Sequence, residues 1–328
     1  MTRFSVLDLV PVVEGSSIGE ALASAATLAQ AAERLGYHRF WVAEHHGMAG
    51  IASAATAVTL AHIGHATSTI RIGSGGIMLP NHSPYVIAEQ FGTLDALFPG
   101  RIDLGLGRAP GADGRIAQML RKDLHRAAEA FPSDVVELQA LIAGDPRLPL
   151  QATPGQGANI DIWILGSSLF GAQLAAMLGL PYAFASHFAP AALDQALALY
   201  RRDFRPSEKL AKPYAIAAIN VIAADSDAEA VLLGSSMDQS FVALRTGTPG
   251  KLKPPVEGYR QTLPPQALAM LESFREASAI GSPETVRTRV AAFIERTGAD
   301  ELIFAGSTYD PAARVRSLEL AMGAVEGL

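Results

Sequence analysis

Three ionisable side chains stand in a row directly after a short apolar segment: Glu44, His45 and His46 follow residues 39–43. Carboxylate and imidazole groups can accept, donate and transfer protons near neutral pH. An α/β enzyme keeps such groups at the end of a buried strand, because the core holds the strand rigid while its end stays accessible. We therefore predict an enzyme and take Glu44, His45 and His46 as its catalytic candidates.

Successive residues of a strand point to opposite faces, so only one of His45 and His46 can easily face a ligand at the strand end. The same alternation argues against one metal ion bound by both histidines, and we predict no metal site. A metal-dependent barrel hydrolase that uses Glu44 with both histidines is a rival that metal analysis would test. Four other histidines stand in predicted helices or loops, where a solvated or hydrogen-bonded imidazole is usual: His62, His65, His82 and His125.

Glycines interrupt the third predicted strand at residues 73–76. Glycine inside a strand costs stability and usually marks a bulge or a close approach of another group to the backbone. A large planar ligand is one such group, and tight packing of a helix is the alternative.

Further polar groups follow the fourth, fifth and sixth predicted strands. Arg108 could pair bidentately with a phosphate or form a salt bridge at the rim. The turn Gly166, Ser167 and Ser168 leads into a helix, where hydroxyls and free backbone N–H groups can bind an anion or simply cap the helix. His187 stands at the end of the sixth strand and is a candidate for contact with substrate.

Strands and helices alternate along the chain. Strands are predicted at 4–9, 39–43, 70–78, 101–106, 161–165, 182–186, 214–223 and 301–305. Amphipathic helices are predicted at 18–35, 54–66, 84–98, 116–142, 169–178, 191–204, 227–244 and 283–296. Eight alternating strands favour a (β/α)8 TIM barrel in one domain, residues 1–328, over a doubly wound open sheet, which would also alternate.

Two segments interrupt this alternation. Residues 144–159 are rich in proline and glycine and are expected to form a surface excursion. Residues 245–265 are too rich in proline and glycine for regular structure and longer than an ordinary connection, so they form either a lid or an inert surface loop.

The amino-acid composition limits the classes of partner and of reactive site that this protein can have. The 328 residues are 49% apolar with a net charge of −6, which gives no basic surface for nucleic acid or an anionic membrane, so we expect small-molecule partners. No cysteine is present, which excludes disulfides, a thiolate nucleophile and cysteine-ligated metal centres. No signal peptide and no run of 18 apolar residues is recognisable, so we expect a soluble cytoplasmic protein.

Five stretches in register resemble one known family. They are WVAEHH at 41–46, RIGSGGIMLP at 71–80, AEQ at 88–90, PGRIDLGLGR at 99–108 and LGSS at 165–168. Together they resemble the bacterial luciferase-like flavin-dependent monooxygenases. Segments 183–188 and 247–255 look like the single-chain oxidoreductases of that superfamily, most of which have no assigned substrate.

The resemblance implies a TIM barrel that binds reduced FMN at its carboxyl face. It implies a role for His45 beside the flavin and a non-proline cis peptide against the flavin ring at Ser74 and Gly75. It places Glu89, Arg108 and the turn 166–168 around the polar edge of the ring and the phosphate. Luciferase-like proteins are often dimers, so a homodimer is a further implication.

Reduced flavin activates oxygen productively only where water is excluded and a hydrogen-bond donor is present. His45 is the predicted donor and segment 245–265 the predicted closure. The stretch 105–111 departs from a dinucleotide fingerprint because Pro110 replaces its third glycine, so a separate flavin reductase is expected to supply reduced FMN. The alternatives are a deazaflavin (F420)-dependent hydride-transfer enzyme on the same barrel and a non-catalytic flavin-binding protein.

Overall fold

Eight parallel strands close into a barrel in the computed structural model, which describes residues 2–109, 119 and 123–328. The described residues form nine strands, and all of them except β8 belong to the barrel. They are β1 (Arg3–Asp8), β2 (Arg39–Val42), β3 (Arg71–Met78), β4 (Ile102–Gly107), β5 (Asp161–Gly166), β6 (Tyr182–Phe184), β7 (Ala215–Ala223), β8 (Ser278–Gly281) and β9 (Glu301–Ala305). Each of β1 to β6 pairs with the next, β7 pairs with β6 and β9, and β9 pairs with β1. The predicted TIM barrel is confirmed, and all eight of its strands lie where the sequence predicts them.

The sequence prediction missed β8, which lies outside the closed ring. It pairs with the second half of β7, from Asn220 to Ala223, on the edge whose first half pairs with β6. Because β7 extends beyond the three-residue β6, its backbone N–H and C=O groups there need another partner. The four residues of β8 include one β-branched side chain, Ile280, and lack the aromatic and β-branched run that marks the equally short β2.

Helices surround the barrel. In the described part of the chain they are α1 (Ile18–Arg34), α2 (Thr56–Ala66), α3 (Pro84–Leu97), α4 (Leu124–Ala143), α5 (Leu169–Leu178), α6 (Leu193–Asp203), α7 (Asp227–Arg245), α8 (Pro265–Arg275), α9 (Pro283–Thr297) and α10 (Pro311–Val325). Helices α8 and α10 were not predicted. The predicted start of α4, at residues 116–122, lies outside the described residues except for Met119.

The amino end of the barrel interior is filled by buried charges. The Arg39 guanidinium lies 2.7 Å from the Asp103 carboxylate and 2.8 Å from that of Glu301. Arg71 pairs with Asp103 at 2.5 Å, and the Trp41 indole N–H donates to Asp103 at 2.9 Å. Above these charges the ring of Trp41 packs edge to face with another buried indole, with centroids 5.3 Å apart. These side chains therefore fill the amino end of the barrel interior.

The segment 144–159 is not simply a surface excursion, because part of it packs against α3. Ala152 is fully buried, and a Cβ atom added at Gly155 would lie 2.6 Å from the backbone oxygen of Ala88 in that helix. Backbone contact at this distance requires glycine. The peptide bond between Thr153 and Pro154 is cis.

The segment 245–265 is ordered and lies against the chain that leaves β1. Leu252 is buried, donates its N–H to Val12 O at 2.9 Å and accepts the N–H of Glu14 at 2.8 Å. The Lys251 ammonium donates to Ser16 O at 2.7 Å. The segment therefore lies at the carboxyl face, as a lid requires, although opening and closing stay a prediction.

None of the helices described is long and apolar enough to cross a membrane.

Candidate functional site

Most of the predicted site residues follow strands at one rim of the barrel. Because all of its strands are parallel, the residues that follow β2, β4, β5 and β6 emerge at the same face. The register supports this arrangement, since Met78 pairs with Gly107, Gly107 with Leu165, and Gly166 with Phe184. The structure thus brings Glu44, His45, His46, Arg108, Gly166, Ser167, Ser168 and His187 to neighbouring positions of the carboxyl rim.

Glu44 is fully buried and is the centre of a hydrogen-bonded cluster. Its carboxylate accepts hydrogen bonds from His46 Nε2 at 2.6 Å and His82 Nε2 at 2.8 Å, and from the backbone N–H of Met78 at 3.1 Å. Burial raises the pKa of Glu44, but the hydrogen bonds from His82, His46 and Met78 outweigh it and hold the pKa below its ordinary value. Glu44 is therefore an anionic acceptor that ties the ends of β2 and β3 together.

His45 lies away from that cluster, as the alternation of a strand requires. Burial is the largest effect on its imidazole and lowers its pKa, with the charge of Glu44 acting in the opposite direction. His45 is thus neutral near pH 7 and carries one N–H donor.

His187 follows β6 and is electrostatically coupled to His45. Burial, and then the charge of His45, lowers the pKa of His187 to about 4. Its backbone oxygen accepts the Asn220 side-chain N–H at 2.7 Å, which fixes the turn. Its Nδ1 atom is buried and has no hydrogen-bond partner among the described residues. An unpaired buried polar atom is costly, so this nitrogen is suited to pair with a ligand or water.

Arg108 and the turn after β5 form the cationic side of the rim. Arg108 is exposed, and its guanidinium lies over the ring of Phe170, 4.0 Å from the centroid. Ser167 and Ser168 are exposed as well, and Ser168 caps α5 without a side-chain hydrogen bond to the first turn. A guanidinium, two hydroxyls and the free N–H groups of a helix start therefore lie close together, which is the donor set that a phosphate requires.

The glycines of β3 fit tightly against the barrel interior. A Cβ atom at Gly75 would lie 2.7 Å from Leu7 and 3.2 Å from Trp41, so packing accounts for glycine on that side of the strand. The β3–β4 register shifts between Ser74 and Ile77, so this part of the strand pairing is irregular. The non-proline cis peptide joins Gly75 to Gly76, one bond after the predicted place.

The side chains of two predicted flavin-binding residues do not point to the rim. The Ser74 hydroxyl is buried and binds the backbone of Gly105 in β4, donating at 2.9 Å and accepting at 3.0 Å. Glu89 lies within α3, outside the barrel, and its side chain forms no hydrogen bond or ion pair with the described rim residues. A role for Ser74 and Gly75 would have to come from their backbone, and the role of Glu89 stays a prediction.

Sequence reasoning did not assign His82 to the site. It follows the short 3₁₀ helix Leu79–Asn81 after β3, and no spacing in the sequence marks it as a partner of Glu44. A second unassigned group is Arg245, whose guanidinium lies 4.9 Å from the ring centroid of Phe188 and 5.2 Å from that of Phe241. It links the end of α7 to the segment after β6.

Close relatives share this architecture over nearly the whole chain. A luciferase-like monooxygenase of Escherichia coli strain K12 is 51% identical over 326 residues, which are 99% of this chain and 97% of the relative. The crystal structure of apo-MsnO8 superposes with a TM-score of 0.93 at 36% identity, covering 99% of each chain.

More distant structures share the fold alone. The oxygenating constituent of 3,6-diketocamphane monooxygenase, a type II Baeyer–Villiger monooxygenase in complex with FMN, has a TM-score of 0.72 at 18% identity, covering 99% of this chain and 98% of that one. An F420-dependent secondary alcohol dehydrogenase has a TM-score of 0.73 at 16% identity and covers 99% of each chain. Both cofactor classes therefore occur on this barrel.

The family model for luciferase-like monooxygenases matches residues 2–301. This match and the 51% identity of the Escherichia coli relative confirm the predicted enzyme class. The chain belongs to the luciferase-like monooxygenase family.

Proposed function

We propose that this enzyme oxygenates a small organic substrate with reduced FMN and O₂. The observation that carries the proposal is the convergence of Arg108, Ser167 and Ser168 at the ends of two neighbouring strands. When bound there, FMN in its reduced form would supply the electrons that activate oxygen.

The chemistry of this donor set fits a phosphate monoester. Arg108 has no carboxylate partner within the described residues, so the structure offers no competitor for its charge there. Its stack on Phe170 keeps the planar guanidinium beside the start of α5, where the backbone N–H groups favour negative charge. The phosphate of FMN would thus hold the cofactor at the carboxyl face of the barrel.

His45 and His187 are the proposed contacts on the reacting side. His45 is neutral near pH 7, so it can donate an N–H hydrogen bond while its other nitrogen accepts. His187 offers an unpaired Nδ1 atom toward a substrate. Segment 245–265, fixed at Leu252, would exclude water from the rim.

A second candidate is hydride transfer with the deazaflavin F420. The F420-dependent alcohol dehydrogenase shares the fold, and an arginine beside two serines could bind the phosphate of either cofactor. A protein that binds flavin without turnover is the candidate from another class.

Anaerobic titration separates these candidates. We expect reduced FMN to bind with one equivalent per chain and its oxidation by air to consume substrate. Tight binding of F420 without binding of FMN would replace the first proposal by the second. Binding of FMN without product from any substrate in a broad panel would favour the non-catalytic candidate.

The source of electrons, the cellular location and the oligomeric state of the enzyme are also matters of proposal. We propose a separate flavin reductase, a cytoplasmic location and a homodimer. With NADH and FMN alone the enzyme should consume no oxygen, and adding a reductase should start consumption. Oxygen consumption by the enzyme with NADH alone would contradict the two-component arrangement, and light scattering would give the mass in solution.

A further inference from the structure

Three metal-ligating side chains converge where β2 and β3 end. Glu44 Oε1 lies 2.6 Å from His46 Nε2 and 2.8 Å from His82 Nε2, and Oε2 lies 3.0 Å from His82 Nε2. The ligand atoms of these residues all lie within 4.8 Å of one another, and no other group of three with this property occurs among the residues whose side chains the structure describes.

We propose that Glu44, His46 and His82 form a binding site for a transition-metal dication, with Zn²⁺ as the probe. Two imidazoles and one carboxylate are ligands that zinc and related cations accept, with water in the remaining position. This site is independent of the proposed flavin chemistry. It differs from the metal site considered from the sequence, because His82 takes the place of His45.

The distances are compatible with a metal after a small adjustment. Ligands about 2.0 to 2.1 Å from a tetrahedral zinc ion lie roughly 3.3 Å from one another. The Glu44 carboxylate oxygens lie 2.6 to 3.0 Å from the imidazole nitrogens, so each of these pairs needs to separate by only a few tenths of an ångström, and all three ligand atoms lie within 4.8 Å of one another. Without a metal, the protons on both Nε2 atoms occupy the space between the donors. Binding requires each of these protons to move to Nδ1, and neither imidazole has to turn around.

The surroundings support the same assignment. The Met78 N–H donates to Glu44 Oε2 at 3.1 Å, and an outer hydrogen bond of this kind orients a ligating carboxylate. Glu44 is fully buried, whereas the His46 and His82 side chains are 20% and 28% exposed. The cluster is thus rigid on its carboxylate side and open to solvent on its imidazole side, which leaves room for a cation to enter and for a water ligand.

The test uses full-length protein without a histidine tag, treated with a chelator and measured without flavin. Zinc binding is followed by calorimetry, and cobalt binding by its visible absorption. We expect one equivalent of either metal, with affinity at least tenfold weaker in His46→Ala and in His82→Ala. His45→Ala controls for a histidine beside the cluster, and His62→Ala, an exposed residue of α2, controls for surface histidines. Both controls should bind like wild type.

Two results would overturn the site: no binding by wild type at micromolar metal, or equal binding by wild type and both cluster variants. If either alanine variant fails to fold by circular dichroism, His46→Gln, which keeps a hydrogen-bond donor to Glu44, replaces it and should also lose the metal. Because flavin is absent, failure here leaves the FMN proposal standing. Failure to bind FMN likewise leaves the metal site standing.

Discussion

Arg108 carries the charge of the proposed phosphate site, and its removal gives a selective prediction. Arg108→Ala should weaken FMN binding by about 1.5 to 3 kcal/mol, because a charge-assisted pair is lost. Riboflavin, which has no phosphate, should bind almost unchanged. Fluorescence titration of both ligands measures the difference, and Arg34→Ala on the exposed end of α1 is the control. Equal losses for FMN and riboflavin would place Arg108 away from the phosphate.

His45 and His46 should differ in effect, because the structure puts them in different surroundings. His45→Ala should leave FMN affinity within a few-fold and lower turnover by roughly 10²-fold or more, as for loss of a positioned proton-transfer group. His46→Ala should lower turnover less, since His46 binds Glu44. Steady-state product formation and the fraction of oxygen released as hydrogen peroxide are the measurements. A larger loss in His46→Ala would reverse the assignment, and wild-type turnover in both variants would make the histidine pair structural.

The sequence predicted the candidate site residues more completely than the residues that they contact. His45, Arg108, Ser167 and Ser168 were singled out because polar groups after buried strands are unusual, and the structure places them all at the rim. His82 was not assigned, since its partner Glu44 is 38 residues away and only the pairing of β2 with β3 brings them together. Contacts between distant segments depend on register, which one sequence does not specify.

The barrel strands could be predicted from their apolar residues, but β8 could not. All barrel strands lie at their expected places, even β2 with four residues and β6 with three, whereas β8 has one β-branched residue, Ile280, and was not predicted. The proline and glycine content of 245–265 predicted a segment without regular structure, but Tyr259–Thr262 form a 3₁₀ helix and α8 begins at Pro265. The hydrogen bonds of this segment to Val12 and Glu14 are tertiary contacts, which the sequence did not predict.

A pair of glycines tests the proposed closure by segment 245–265. A Cβ atom added at Gly50 would collide with the backbone oxygen of Gly250, whereas one added at Gly250 would meet nothing within 4 Å. Gly50→Ala should therefore displace the segment from the strand ends, speed its cleavage by protease and raise the peroxide released per turnover. Gly250→Ala should resemble wild type. Rapid cleavage of Gly50→Ala with unchanged coupling would show that the segment is no lid.

At the scale of the whole molecule, Glu33 links stability to pH. Its carboxylate accepts the backbone N–H groups of Ser68 at 2.8 Å, Thr69 at 2.5 Å and Ile70 at 2.9 Å, tying α1 to the chain before β3. Burial opposes ionisation, but these hydrogen bonds lower the pKa of Glu33 to about 2. A carboxyl whose pKa is lowered by folding stabilises the native state above its unfolded pKa and loses this effect as the pH falls through the folded pKa.

Glu33→Gln should therefore reduce the free energy of unfolding by about 1 to 2 kcal/mol at pH 7, discounted for partial exposure. The difference from wild type should shrink as the pH falls from about 4.5 to about 2. Urea denaturation at several pH values measures it, with Glu137→Gln on the exposed face of α4 as the control. A difference that stays constant over that range would show that the charge of Glu33 contributes nothing.

The two ends of the barrel should respond differently to mutation, because one is filled by buried charges and the other carries the proposed cofactor site. Asp103 accepts from Arg39, Arg71 and Trp41 at the amino end and is fully buried. Asp103→Ala would remove one of the carboxylates that balance Arg39 and Arg71 and would leave the Trp41 N–H without its acceptor. Arg39 would keep Glu301 and Arg71 would keep Asp161, but the buried network would hold one excess positive charge, so the fold should be destabilised by about 3 to 5 kcal/mol.

The exposed pair of Arg202 and Asp203 supplies the control, since Asp203→Ala should change stability by less than about 1 kcal/mol. Urea denaturation gives both values. Asp103→Ala protein that remains folded should bind FMN within a few-fold of wild type, because the residues that stabilise a TIM barrel and those that bind its ligand lie at opposite ends. A variant that folds normally but loses FMN would move the cofactor toward the amino end and contradict the placement at Arg108. If the amino end of the barrel is structural and the carboxyl end binds the cofactor, Asp103→Ala should lose stability, whereas Arg108→Ala should lose FMN affinity.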